Sequence, residues 1–240
     1  MIGGFIITGN APKPVVLRGR GPSLANFGIN GVLLDPVLEL RSSSSSLFTN
    51  DNWKDTQRSL IEGTIFQPTD DRESVILATV PPAAYTTILS GKNNSAGIGL
   101  LEVYDNNQAV DSVLANISTR GFVQTGNQVM IGGFILGGNS PARIAVRALG
   151  PSLASFGLNN VLADPTLELH DANGTTLVAN DNWLDDPVSA AQLTANGLAL
   201  PNQKESGIFT SLVPPGQFTA IVAGKNGGIG IALVETYNLN

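Results

Sequence analysis

The motif Asn-Asp-Asn-Trp occurs twice, at residues 50–53 and 180–183, with Asp55 following the first copy and Asp185 and Asp186 the second. Carboxylate and amide oxygens at such short spacing are hard donors of the kind that hold calcium. Asp51, Asp55, Asp181 and Asp185 are therefore the candidate metal ligands, and Ca2+ the candidate cofactor. The ordered spacing of an EF-hand loop is absent. The competing reading gives Asn50 and Asn180 the task of shaping Asx turns while Trp53 and Trp183 cover the core. If exposed, the same two indoles could stack on sugar rings, which makes Trp53 and Trp183 the candidate ligand-binding residues and a polysaccharide the candidate partner. They are the only tryptophans in a chain that is 6% aromatic, so such a platform would be thin.

Acid–base catalysis finds little to work with. The only histidine, His170, aligns with Arg41 in the other copy, and its expected place is an exposed strand end. There is no cysteine and no G-x-S-x-G elbow. A hydrolase would need a site built in one copy alone, so the expectation is a protein that is not an enzyme. Charged residues that recur in both copies, Arg18 with Arg147, Asp35 with Asp164 and Glu39 with Glu168, suggest internal ion pairs or bonds to loop carbonyls, a structural role. The glycines around Pro-Ser-Leu at 22–24 and 151–153 lack the Lys and Ser/Thr of a phosphate-binding loop and read as turns.

The elements that position these residues follow from an internal repeat. Sliding the chain by 129 positions lays residues 1–40 on 130–169 with 25 identities, and beyond the Trp motifs the offset settles at 133. Only 13% of residues are charged, while 27 are Gly and 14 Pro, a composition suited to short strands and tight turns. Within each copy, short alternating or β-branched runs are bounded by Gly, Pro, Asn or Asp. The expected fold is all-β: two tandem antiparallel β-sandwich domains, jelly-roll-like, at 1–111 and 112–240, with a closed barrel as the fallback. Helical turns are expected only in the loops after the two Trp motifs.

Residues 112–129 have no second copy, although they also read as strand. This segment can complete the first unit, begin the second or bridge both, and an open sheet edge is expected in whichever unit does not receive it; open edges are templates for pairing with another chain. The net charge of −6 argues against nucleic acid and anionic membrane partners. The start of the chain has no basic n-region and only a short apolar run, which reads as neither signal peptide nor membrane anchor.

Residues 164–183 (DPTLELHDANGTTLVANDNW) and 212–238 (LVPPGQFTAIVAGKNGGIGIALVETYN) together resemble the bacterial pre-peptidase C-terminal type of β-sandwich, and the first copy repeats the pattern. The preceding block, from residue 116 to the second Pro-Ser-Leu turn, resembles modules found as tandem arrays in large secreted bacterial proteins. The resemblance implies a non-catalytic accessory, adhesive or structural role at or outside the bacterial cell surface, sometimes with calcium or polysaccharide binding. The first copy departs from it where a serine run at 41–46 replaces the Asp-Ala-Asn-Gly turn and where Ala83-Ala84 replaces the turn at Gly216. The favoured expectation is a self-associating structural module forming homo-oligomers or filaments by strand exchange. The second is a polysaccharide-binding accessory module using calcium.

Overall fold

The alternation read from the sequence becomes alternating burial. In Pro36–Arg41 and Pro165–His170 every second side chain enters the core, with Leu38, Leu40, Leu167 and Leu169 fully buried. A computed structural model describes residues 1–240 except Ser44, so the serine run at 41–46 lies partly outside the described residues. The chain forms two compact units, Met1–Ala115 and Asn116–Asn240, which divide inside the unrepeated segment.

The first unit contains β1 (Ile2–Gly9), β2 (Lys13–Arg20), β3 (Pro36–Arg41), β4 (Ser46–Asn50), β5 (Ser74–Val80), β6 (Ala84–Gly91) and β7 (Leu100–Asp105), with a single helical turn α1 (Arg58–Ile61). Strand β8 (Ser112–Val123) runs across the boundary. The second unit continues with β9 (Met130–Leu136), β10 (Ala142–Leu149), β11 (Pro165–His170), β12 (Thr176–Asn180), α2 (Pro187–Ala195), β13 (Ser206–Leu212), β14 (Gly216–Gly224) and β15 (Gly230–Asn238). Asp186 caps α2 by accepting from the amides of Val188 and Ser189.

The pairing in the second unit is a set of nested antiparallel hairpins: β11 with β12, β10 with β13, β9 with β14, and β8 with β15. Rolled up, the nest places its strands in two layers, in the orders β13-β10-β15-β8 and β12-β11-β14-β9. This is the double-sheet jelly roll. Its core draws from both sheets, with Ile144, Val146, Ile208, Ala232 and Val234 against Leu167, Leu169, Phe218, Ala220 and Val222. Val123 at the end of β8 is part of the same core. The outer face of β10 and β15 is covered by α2 and its loop through Leu193, Leu200 and the half-buried Trp183.

The first unit repeats the nest up to its last pair. β3 joins β4, β2 joins β5 and β1 joins β6, giving the sheet order β1-β6-β3-β4. β7 pairs with β2 and forms the outer member of the order β5-β2-β7. The sheets are open, so the closed-barrel alternative does not hold. Among the described residues, no helix is long and apolar enough to cross a membrane.

Leu167 has no exposed surface and touches the center of the second core. Truncation by Leu167→Ala is expected to destabilize the protein by about 2–5 kcal/mol through lost burial and the cavity left behind. Urea unfolding followed by circular dichroism measures it.

Candidate functional site

The Asn-Asp-Asn-Trp motifs sit where the loop after β4 or β12 turns back onto the start of β5 or β13. Asn50 Oδ1 accepts from the Val75 amide at 2.9 Å, and Asn180 Oδ1 from the Gly207 amide at 2.8 Å. The Asn50 and Asn180 amide groups donate back to the carbonyls of Asn52 and Asn182. Ser74 and Ser206, which open β5 and β13, donate to the carbonyls of Asp51 and Asp181 at 2.9 and 2.6 Å. The Trp53 and Trp183 amides donate to the carbonyls of Glu73 and Glu205, each at 2.8 Å.

Both of those glutamates are wholly buried. Glu73 Oε1 accepts from the amides of Gly21 and Ser23, each at 3.0 Å, and from Ser23 Oγ at 2.6 Å. Glu205 Oε1 repeats this with Gly150, Ser152 and Ser152 Oγ. A buried carboxylate thus holds the glycine-rich Pro-Ser-Leu turn against the Trp loop, satisfying donors that the turn would otherwise leave bare. Close packing requires the glycines here. A Cβ on Gly21 or Gly150 would lie 2.0 or 2.2 Å from the carbonyl oxygen of Leu33 or Leu162.

The candidate calcium ligands do not converge. Asp51 pairs with Lys92 Nζ at 2.6 Å, and Asp181 with Lys225 Nζ. Asp55 and Asp185 each accept from the amide group of Asn52 or Asn182 at 2.9 Å. A lysine ammonium therefore stands beside the carboxylate that a metal would need, and the described residues form no group of three or more acidic, His or Cys side chains able to hold an ion. The residues do not fit calcium. The stacking role for Trp53 is also corrected: only 1% of the side chain is exposed, and it packs with Val16, Ile61 and Val75 under α1. Trp183 is half-buried against the α2 layer, because the loop after each motif closes over the indole.

Arg18 reaches Glu102 at 3.4 Å, and Glu102 accepts from the Tyr104 hydroxyl at 3.0 Å. Arg147, Glu235 and Tyr237 form the same triplet, with Arg147 also donating to the Leu198 carbonyl at 3.0 Å. Burial, and next the negative charge of Glu235, push the Tyr237 phenol up to about 12. Asp35 lies 3.9 Å from Lys92 Nζ, and Asp164 lies 3.7 Å from Lys204 Nζ. Glu39 pairs with Arg41 at 2.6 Å. His170, at the end of β11, bonds Glu168 at 2.9 Å and faces the Gly174 carbonyl at 3.2 Å. Thr176 Oγ1 lies 3.4 Å from His170 Nδ1.

The largest difference between the copies is at a sheet edge. In the second unit, residues 116–123 of β8 pair with β15 from Tyr237 down to Gly230, and Ala232, Val234 and Thr236 are buried. Their counterparts at an offset of 133 are Gly99, Leu101 and Val103, all half-buried at the edge formed by β7. β15 spans nine residues, whereas β7 spans six, because residues 97–99 lack a ladder to join.

Glu73, Glu205, Ser74, Ser206, Glu102, Glu235, Tyr104 and Tyr237 escaped the sequence reading. The signal was available, since each recurs in both copies at the local offset and recurrence had already singled out Arg18 and Asp35.

No family model matches this chain, and no curated protein matches it. Among solved structures it is similar to one titled "Crystal Structure of the STIV MCP", at 13% identity and a TM-score of 0.26, over 98% of this chain and 90% of that one. A likeness that slight carries no argument about fold or function.

Glu73→Ala would strand the Gly21 and Ser23 amides and the Ser23 hydroxyl in the interior, at about 1–3 kcal/mol for each lost partner. The expected loss is therefore about 3 kcal/mol or more by urea unfolding, and Glu73→Gln, which keeps an acceptor oxygen, should lose less. For Tyr237 the folded pKa of about 12 lies above the ordinary 10.0. Its contribution is thus complete below pH 10 and declines as pH rises from 10 to 12, because the unfolded chain releases that proton first. Thermal melts across this range should fall less steeply for Tyr237→Phe than for the parent protein.

Proposed function

We propose that this protein is a non-catalytic structural and adhesive module, placed at or outside the bacterial cell surface, that joins further modules of its own kind through an open sheet edge. The observation that carries the reading is the bare edge of β7, set against its covered counterpart β15. An edge strand with half-buried apolar residues and unpaired backbone groups is a template for strand addition. Leu101 and Val103 supply the apolar side chains. The sparse charge, the lack of cysteine and the resemblance to tandem modules of secreted proteins favor an extracellular setting.

Exchange of β8 between copies is a poor route to assembly, since it bares β15 of the donor for every β7 it covers. Association in which β7 adds to an intact neighboring sheet creates new pairing without that loss. A contact between two β7 strands would close as a dimer, while β7 against a different edge would propagate as a filament.

Light scattering over a range of concentrations, with negative-stain electron microscopy in parallel, tests the reading. Mass is expected to rise with concentration, and assemblies should persist in chelator because the acidic loops do not fit calcium. A strict monomer at high concentration, with β7 amides exchanging freely with solvent, would refute self-association.

A further inference from the structure

The bare edge has a specific complement. Asn106 N–H donates to the Pro14 carbonyl, as Leu239 N–H does to the Arg143 carbonyl in the second unit. Backbone direction alternates along a strand, so the even-numbered residues of β7 face β2, while Leu101, Val103 and Asp105 turn their amides and carbonyls outward. In the second unit, the equivalent outward positions Val234 and Thr236 lie opposite Thr119 and Ile117 of β8. Asn116 adds a side-chain bond to the Thr236 carbonyl at 3.0 Å, and Val123 closes the end of the core. One chain holds two such edges and one such strand.

We infer that the β7 edge binds the linking strand of a further repeat unit, an extended segment with the pattern of residues 116–123 (Asn-Ile-Ser-Thr-Arg-Gly-Phe-Val), antiparallel and in the register of β8 on β15. This rests on the function proposed above and names the partner of the same edge. Shifted by 133, the register sets Val103 opposite the Ile117 equivalent, Leu101 opposite that of Thr119, Gly99 opposite that of Gly121 and Ile98 opposite that of Phe122. The occupant completes the outermost hairpin of the nest, extends β7 back through residues 97–99 and covers Leu101 and Val103.

The choice of a linking strand over a second β7 follows from the repeat. The two edges descend from one pattern, with Arg18–Glu102–Tyr104 and Arg147–Glu235–Tyr237 in equivalent places on them. The strand that fits one has the backbone register and side-chain alternation to fit the other. A unit preceded by its own linking strand would be complete, and a row of such units would be stitched by consecutive strands of this kind.

The test uses the whole chain and a fluorescent synthetic peptide of residues 112–129. Saturable one-to-one binding is expected, with at least tenfold slower hydrogen exchange at Leu101 and Val103. A benzophenone side chain in place of Phe122 of the peptide should crosslink beside Ile98. Val103→Pro removes an outward donor at an edge position where proline is tolerated, and it should abolish binding while the thermal melt is retained. Should that variant unfold, a chain carrying a second copy of residues 112–129 ahead of Met1 serves instead: its Leu101 and Val103 amides should be protected and the peptide should no longer bind.

Absence of saturable binding up to about 1 mM, binding of a scrambled peptide with equal strength, or a crosslink at Ile231 through displacement of β8 would each overturn the inference. If the chain assembles and excess peptide disperses the assemblies, both readings stand. Assembly with β7 protected and indifferent to the peptide would remove the linking strand but leave the edge-joining function. A monomer that also ignores the peptide would remove both.

Discussion

Every backbone amide and carbonyl in a sandwich must find a partner or face water, and in a nested set of hairpins each strand's partner is dictated by its place in the nest. The second unit meets that condition along β15 because β8 supplies the outermost strand and pairs with it from Gly230 to Tyr237. The first unit holds the same three inner pairs and stops there. Its core still forms around fully buried Leu38 and Leu40, so what is missing is one edge of a complete fold, not the fold. The half-exposure of Leu101 and Val103 and the shortening of β7 have this single cause.

The sparse charge takes on meaning from where the recurring charges go. Glu73 and Glu205 lie wholly inside, each binding a turn to a loop, and the Arg–Glu–Tyr triplets lie partly covered on the outer face of β2–β7 and β10–β15. Such groups are acceptable in the interior because each charge meets several donors or an opposite charge. The Trp motif belongs to this framework. Its asparagine and backbone bind the start of the next strand, its indole fills the layer beneath α1 or α2, and its aspartate is held by a lysine from the loop after β6 or β14. The copies differ at Lys13, which is buried and reaches Asp105 at 3.0 Å, where the second unit has Ala142 and Asn238. That contact anchors the far end of β7.

The recurring charged and polar side chains hold loops, and what separates the two copies is the uncovered edge of β7. In strand addition to a sheet edge, main-chain pairing supplies affinity and alternate side chains supply selectivity. The apolar residues at 101 and 103 and the glycine at 99 set what can lie against it, as Val234, Thr236 and Ala232 do for β8.

By itself the sequence determined the repeat, the β class, the position of the strands and the existence of one unrepeated strand, since these depend on local period and on self-similarity along the chain. An edge left open was legible for the same reason, whereas the Asx turns expected at Asn50 and Asn180 are replaced by bonds that their Oδ1 atoms accept from the Val75 and Gly207 amides. Tertiary structure alone decided which unit receives residues 116–123, because the choice depends on which edge the strand meets in space. It also decided that Asp51 and Asp181 face lysines, that Trp53 is enclosed, and that Glu73 and Glu205 bind the Pro-Ser-Leu turns. The partners of the charged groups among these lie far apart in sequence, 52 positions for Gly21 and Glu73 and 44 for Asp181 and Lys225. No local pattern records a contact at such separation, which only the rolling of the nested hairpins brings together.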